Sequence, residues 1–91
     1  MGFQALITLD LPSIDDKDRT QFYKFLNEHN WHKIESLTTA WKVSFKETTT
    51  REDAIKIIKN RLAEAKEKCE IQKVEYAIQL AQLSVIINTI N

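Results

Sequence analysis

Apolar and polar residues alternate at the start of the chain, between residues 3 and 11. Successive side chains of a strand point to opposite sides of a sheet, so alternate residues share a face. The residues on the apolar face are Phe3, Ala5, Ile7 and Leu9. Asp10 falls on the other face, and Pro12 ends the strand because it has no N–H to donate to a ladder. The pattern therefore predicts a first strand that ends in a carboxylate.

Two later segments have apolar residues spaced three and four apart, which is typical of an amphipathic helix. The first helix is predicted to begin near Ser13 or Asp15, since both side chains are good N-caps, and to end near Asn30. The second helix is predicted to follow Thr50, which opens a sequence similar to a capping box, and to end near Lys68.

Three further segments are predicted as strands: 31–37, 41–45 and 74–80. The middle segment gives the clearest signal, because its apolar residues alternate with polar ones. The aromatic residues expected in the core are Trp31, Trp41, Phe45 and Tyr76. The last segment, 83–90, is unusually apolar and predicts a fifth strand or a short helix. If this segment were exposed, it would form an apolar patch that associates with other surfaces. We therefore favour its pairing as a strand with its own sheet or with a second subunit.

The predicted order of strand, helix, strand, strand, helix, strand is that of a ferredoxin-like βαββαβ sandwich. We therefore expect an α+β fold in which two helices cover one face of an antiparallel sheet, with an extra C-terminal strand. The chain is expected to form a single domain, 1–91, with a core of 3–80 and an apolar C-terminal segment, 82–91, that a dimer exchanges. The residues predicted on the open face are Leu6, Thr8, Asp10, Lys42, Ser44, Lys46, Glu75, Ala77 and Gln79.

The composition excludes several classes of protein. Thirteen basic residues balance thirteen acidic ones, which argues against a strong nonspecific nucleic-acid binder. Cys69 is the only cysteine, so it forms neither an internal disulfide nor a thiolate metal site by itself. No run of 18 apolar residues and no signal-peptide pattern is present, so we expect no membrane partner and a cytoplasmic location.

Asp10 is the main candidate for chemistry, although an isolated strand-end carboxylate is more often structural or solvated. A hard divalent cation needs several oxygen ligands, and a symmetric dimer would supply a second Asp10 across its twofold axis. His29 and His32 offer a less favoured acid–base pair, because they lie on either side of the predicted helix end. With Gly2 as the only glycine, the chain has no phosphate-binding loop.

Three short motifs resemble those of a known group of small bacterial proteins. They are the strand at 5–11 that ends in Asp-Leu, the Trp-His pair at 31–32, and Thr-Ala-Trp-Lys-Val at 39–43. The segment 5–80 is similar to SinR-like small proteins, in the ferredoxin-like superfamily of the Cas-two CRISPR adaptation protein, the VapD toxins and the GhoS antitoxin. The resemblance implies a homodimer joined through its sheets, often completed by exchange of a C-terminal strand.

In the nuclease members of this superfamily, the aspartate at the end of the first strand lies at the dimer axis and holds a metal ion. Asp10 matches that position, although Leu9 stands where an aromatic residue commonly precedes the aspartate. The preferred hypothesis is a homodimeric, noncatalytic interaction or antitoxin-like module with a protein partner. The alternative is an endoribonuclease that cleaves RNA with Mg²⁺ or Mn²⁺ held by paired Asp10 carboxylates. A small ligand-binding regulatory domain is a third, weaker hypothesis, because no ligand signature is present.

Overall fold

The computed structural model describes residues 2–12, 14–37 and 39–91, so Ser13, one of the two predicted caps, lies outside the described residues. Within these described residues, six elements follow one another. They are β1 (Gln4–Asp10), α1 (Asp16–Glu28), β2 (His32–Lys33), β3 (Ala40–Ser44), α2 (Arg51–Lys68) and β4 (Glu75–Ala81). The predicted order of strands and helices is therefore observed.

The four strands form one antiparallel sheet in the order β2-β3-β1-β4. Strand β1 lies in the interior, and its Ile7 faces Trp41 of β3 on one side and Ile78 of β4 on the other. An open, four-stranded antiparallel sheet with two helices makes this a small α+β domain whose architecture fits a ferredoxin-like fold.

Both helices pack on the same face of the sheet. The buried cluster joins Ala5, Ile7 and Leu9 of β1 and Trp41 and Val43 of β3 to Phe22, Phe25 and Leu26 of α1 and to Ile58, Leu62 and Ala65 of α2. The ring of Tyr23 meets Trp41 edge-on, with centroids 5.3 Å apart. The opposite face has no helix over it, and its strand residues Thr8, Asp10, Lys42 and Gln79 are exposed. The alternation in β1 thus separates the core from the open face.

Short-range hydrogen bonds define the helix ends. The Asp15 carboxylate accepts from the N–H of Asp18 at 2.8 Å, and the Thr50 hydroxyl accepts from the N–H of Asp53 at 3.1 Å. These are the N-caps that the sequence predicts. Asn30 adopts a φ of 66°, the left-handed conformation expected of it after a helix. Among the described residues, neither helix is long and apolar enough to cross a membrane.

The structure corrects three sequence-based expectations. Strand β2 has only two residues, because the chain turns at residues 34–37, where the N–H of Leu37 donates to the carbonyl of Ile34. Tyr76, expected in the core, is 42% exposed because β4 has a neighbouring strand on one side only. The extra C-terminal strand is also wrong for the single chain: the described residues 82–91 are neither helix nor strand. These residues add no strand to the sheet, because no ladder of hydrogen bonds joins them to the free edge of β4.

Replacing the cap of α2 should destabilise the domain. We expect Thr50→Ala to lower the free energy of unfolding by about 1 kcal/mol, because the N–H of Asp53 loses its acceptor. Urea unfolding at a fixed protein concentration measures the change. Thr48→Ala is the matched control, since Thr48 is exposed and lies outside the helix. Equal effects of the two substitutions would contradict the capping role.

Candidate functional site

Asp10 is the last residue of β1 and is exposed on the open face of the sheet. The backbone before it is fixed, because the N–H of Leu9 donates to the carbonyl of Thr39 at 3.0 Å. Within the described residues, the Asp10 carboxylate makes no hydrogen bond and no ion pair. It is therefore a free carboxylate on a rigid strand end.

Two shallow depressions meet at Asp10. The first has a volume of about 440 Å³ and is lined by Thr8, Leu9, Asp10, Thr39, Glu75, Tyr76 and Ala77. The second has a volume of about 390 Å³ and is lined by Asp10, Leu11, Arg19, Tyr23, Lys33 and Thr39. Both are open hollows at the surface, and neither encloses a small molecule in the way that typical ligand pockets do.

Glu75 is the acid nearest to Asp10 in the sheet, since the two residues face each other across β1 and β4. Its carboxylate is paired with the Lys73 ammonium at 2.9 Å. The hydrogen bond and the charge of Glu75 raise the pKa of Lys73, because both favour the charged ammonium form. Among the described residues, Lys73 thus pairs with Glu75 and not with Asp10.

One chain does not supply a complete metal site. A hard cation such as Mg²⁺ takes about six oxygen ligands, often including one or two carboxylates. No group of three or more His, Cys, Asp or Glu residues suited to a metal ion occurs among residues 2–12, 14–37 and 39–91. Asp10 and Glu75 are both oxygen donors, so they suit the chemistry of Mg²⁺ or Mn²⁺. They fit such an ion only where a second copy, water or substrate completes its ligands.

The two histidines have separate surroundings. The Nδ1 atom of His29 lies 2.8 Å from the carbonyl oxygen of Phe25, to which it donates, and its ring contacts the Phe25 ring with centroids 4.3 Å apart. His32 is exposed on β2, opposite Lys42 of β3. The bond and ring contact of His29 are those of a packed helix end, which gives no support to the acid–base pair.

The strand β4 and the residues after it form the least covered part of the molecule. Strand β4 pairs with β1 on one side only, so its other edge is free in the single chain. The large apolar side chains exposed here are Tyr76 on β4 and Leu83, Ile86, Ile87 and Ile90 beyond it. We call residues 82–91 the C-terminal segment.

Cys69 lies at the end of α2 and is half-buried. Burial raises the pKa of its thiol, while the positive charge of Lys68 acts in the opposite direction and Asp18 adds to the increase. A raised pKa leaves less thiolate at neutral pH, so the side chain is a poor nucleophile. The pKa of Cys69 therefore gives no support to a role as a nucleophile.

The sequence identified Asp10 and the open face, but it did not indicate that Asp10 and Glu75 are neighbours. That contact depends on the register between β1 and β4, which lie 65 positions apart in the chain. The alternation in both strands specifies which face each residue occupies, but any register shift by two residues leaves the faces unchanged.

The comparisons with known proteins show the fold alone. No protein-family model matches the chain, and no curated protein matches it. Among solved structures, the X-ray structure of protein SP2199 from Streptococcus pneumoniae is similar, with a TM-score of 0.55 and 13% sequence identity. The match covers 93% of this chain and 90% of that chain. The similarity therefore extends over nearly the whole chain.

Alkylation of Cys69 should report its raised pKa. We expect the midpoint of the pH–rate profile with iodoacetamide to lie above 9.0, the ordinary value for the thiol. Lys68→Gln should move the midpoint higher still, because it removes a charge that favours the thiolate. Lys59→Gln, an exposed lysine earlier on α2, should leave it unchanged. A midpoint below 9.0 in the unaltered chain would contradict the effect of burial.

Proposed function

We propose that this chain is a noncatalytic interaction module that works as a homodimer, with the C-terminal segment as part of its binding surface. The observation that carries the proposal is the exposure of this segment: Leu83 is 76% exposed, Ile86 85% and Ile90 99%. Burying side chains of this size is worth about 1.5–3 kcal/mol each, so a partner that covers them gains affinity.

The charge pattern supports the same proposal. Although 29% of all residues are charged, residues 76–91 contain no Asp, Glu, Lys or Arg. Exposed, uncharged segments rich in β-branched residues tend to aggregate, and chains usually interrupt them with charges or proline. The absence of such residues over the end of β4 and the whole C-terminal segment is expected for a surface that is covered in the working protein.

A second copy of the chain is the partner that we favour. A domain of this length buries only a modest share of its surface, so dimerisation adds stability that one small core does not supply. The motifs shared with SinR-like proteins of the Cas-two, VapD and GhoS superfamily support a homodimer as well. In this proposal the module acts in the cytoplasm. In its antitoxin-like form, the homodimer binds a further protein as its target.

Changing the C-terminal segment should weaken the dimer. We expect the double substitution Ile86→Asp and Ile90→Asp to shift the chain from dimer to monomer, because carboxylates enter an apolar contact. Light scattering across a concentration series measures the mass. Ile57→Asp is the matched control, since Ile57 is 42% exposed and belongs to α2, outside the C-terminal segment. The proposal is wrong if the unaltered chain is monomeric throughout, or if the control dissociates the dimer as strongly as the double substitution does.

Asp10 favours a second candidate function, a metal-dependent endoribonuclease. The observation behind it is the unpaired, exposed carboxylate at a rigid strand end, beside the oxygen donors of Thr8 and Glu75. In this alternative two Asp10 side chains meet at the dimer axis and hold Mg²⁺ or Mn²⁺, which supplies an activated water for phosphodiester hydrolysis. Each chain then contributes half of the metal site.

The nuclease alternative has a direct test. If it is correct, Asp10→Asn lowers the rate of metal-dependent cleavage of a labelled RNA at least about 100-fold, because the amide is a weaker ligand for a hard cation. Asp16→Asn is the matched control, an exposed acid on α1 that should leave any cleavage unchanged. Equal cleavage by the unaltered chain and Asp10→Asn would contradict the role of Asp10, and no cleavage by either would favour the interaction module.

A further inference from the structure

The two edge strands of the sheet, β2 and β4, differ in length and in charge. The edge at β2 is only two residues long and carries His32 and Lys33, and short, charged strands resist pairing with other chains. The edge at β4 has seven residues, with no proline and no charge after Glu75. Monomeric proteins rarely leave such an edge open, because its free N–H and C=O groups pair readily with another strand.

We infer that two copies of the chain join edge to edge through β4, antiparallel, with the twofold axis at Ile78. This inference rests on the proposed homodimer and specifies its interface. The two four-stranded sheets would then form one continuous sheet of eight strands. A twofold axis perpendicular to the sheet keeps all the helices on one side, so the open faces of both copies also remain continuous.

On the face of the sheet that the helices cover, the pairs of residues that would meet across the interface favour this register. With the axis at Ile78, this residue lies opposite the partner's Ile78, and Tyr76 lies opposite the partner's Leu80. All three side chains are apolar, and none is fully buried in the single chain. Pairs of aromatic and aliphatic residues across strands contribute roughly 0.2–1 kcal/mol each. The register thus extends the core of one copy into that of the other.

The pairs on the open side are also compatible. Ala77 lies opposite the partner's Gln79, and Glu75 lies opposite the partner's Ala81, so no like charges meet. The same register overlaps all seven residues of the strand. Moving the axis to Glu75 would place two glutamates directly opposite each other, which is destabilising, and would leave half of each strand unpaired.

The C-terminal segment enlarges this interface. Stable protein interfaces bury about 1,200–2,000 Å² in total, which is more than a single strand edge provides. Leu83 lies two residues beyond the end of β4, and in this register it lies opposite the partner's Lys73, two residues before the start of the partner's β4. The segment therefore runs along the partner beyond the paired strands, where its exposed isoleucines are available to cover further surface.

The register has a consequence for Asp10. This residue faces Glu75 at the start of β4, one strand away from the interface. With a rise of about 3.4 Å per residue and a strand spacing of about 4.8 Å, the two Asp10 positions lie about 25 Å apart. Two carboxylates at that distance do not share a metal ion. Edge pairing through β4 and a paired Asp10 metal site are thus mutually exclusive.

Charge substitutions at two exposed positions test the register. Ala77→Lys combined with Gln79→Lys places like charges opposite each other across the axis. Ala77→Lys combined with Gln79→Glu places opposite charges there. Both pairs of substitutions lie on the open face, so neither disturbs the core, and circular dichroism checks that the fold is kept. We expect the like-charge variant to dimerise at least about tenfold more weakly than the opposite-charge variant.

Spin labels provide an independent measurement. In a chain with Cys69→Ser and Asp10→Cys, labels at position 10 should give a dipolar distance beyond about 20 Å by electron paramagnetic resonance. A dimer with equal affinity in both charge variants, or with labels in close contact, overturns the edge pairing but leaves the homodimer. An unaltered chain that is monomeric at every concentration overturns the homodimer itself, and the edge pairing with it.

Discussion

The pairing of β1 with both β3 and β4 is the interaction on which the rest of this structure depends. It places the apolar residues Ala5, Ile7 and Leu9 under both helices, and it carries Asp10 to the open face. Because β1 is interior, β4 becomes one edge of the sheet and β2 the other. The core, the free carboxylate and the uncovered edge are therefore three results of one strand arrangement.

The sequence predicts those elements whose signals are local. The alternation in β1 and β3 and the cap at Thr50 lie within a few residues of the structure that they specify, and all three agree with the structure. The short β2 was less predictable, because a turn at residues 34–37 replaces the second half of the expected strand. Tyr76 has the spacing of a core residue, but its exposure depends on which strand lies at the edge, and that is a property of the whole sheet.

The residues of the candidate site also differ in how far the sequence alone predicts their positions. The sequence predicts that Asp10 lies at the end of a strand. It does not predict that Glu75 is its neighbour, because that contact depends on the register between two strands that are distant in the chain. The C-terminal segment is a clearer case. Its apolar pattern predicts pairing, yet the described residues 82–91 of the single chain form no strand. The local pattern therefore predicts that the segment pairs, but it does not specify the strand or surface with which it pairs.

The charged residues on the open face affect two possible arrangements of a dimer differently. A dimer that brings the Asp10 carboxylates together by stacking open face on open face also buries Lys42 and Glu75, which are exposed in the single chain. Removing such groups from water is costly unless each one finds a well-placed partner. Joining the edges at β4 leaves these charges in water and covers apolar side chains instead. The desolvation of the open face therefore opposes the paired metal site and favours the edge as the contact between two copies.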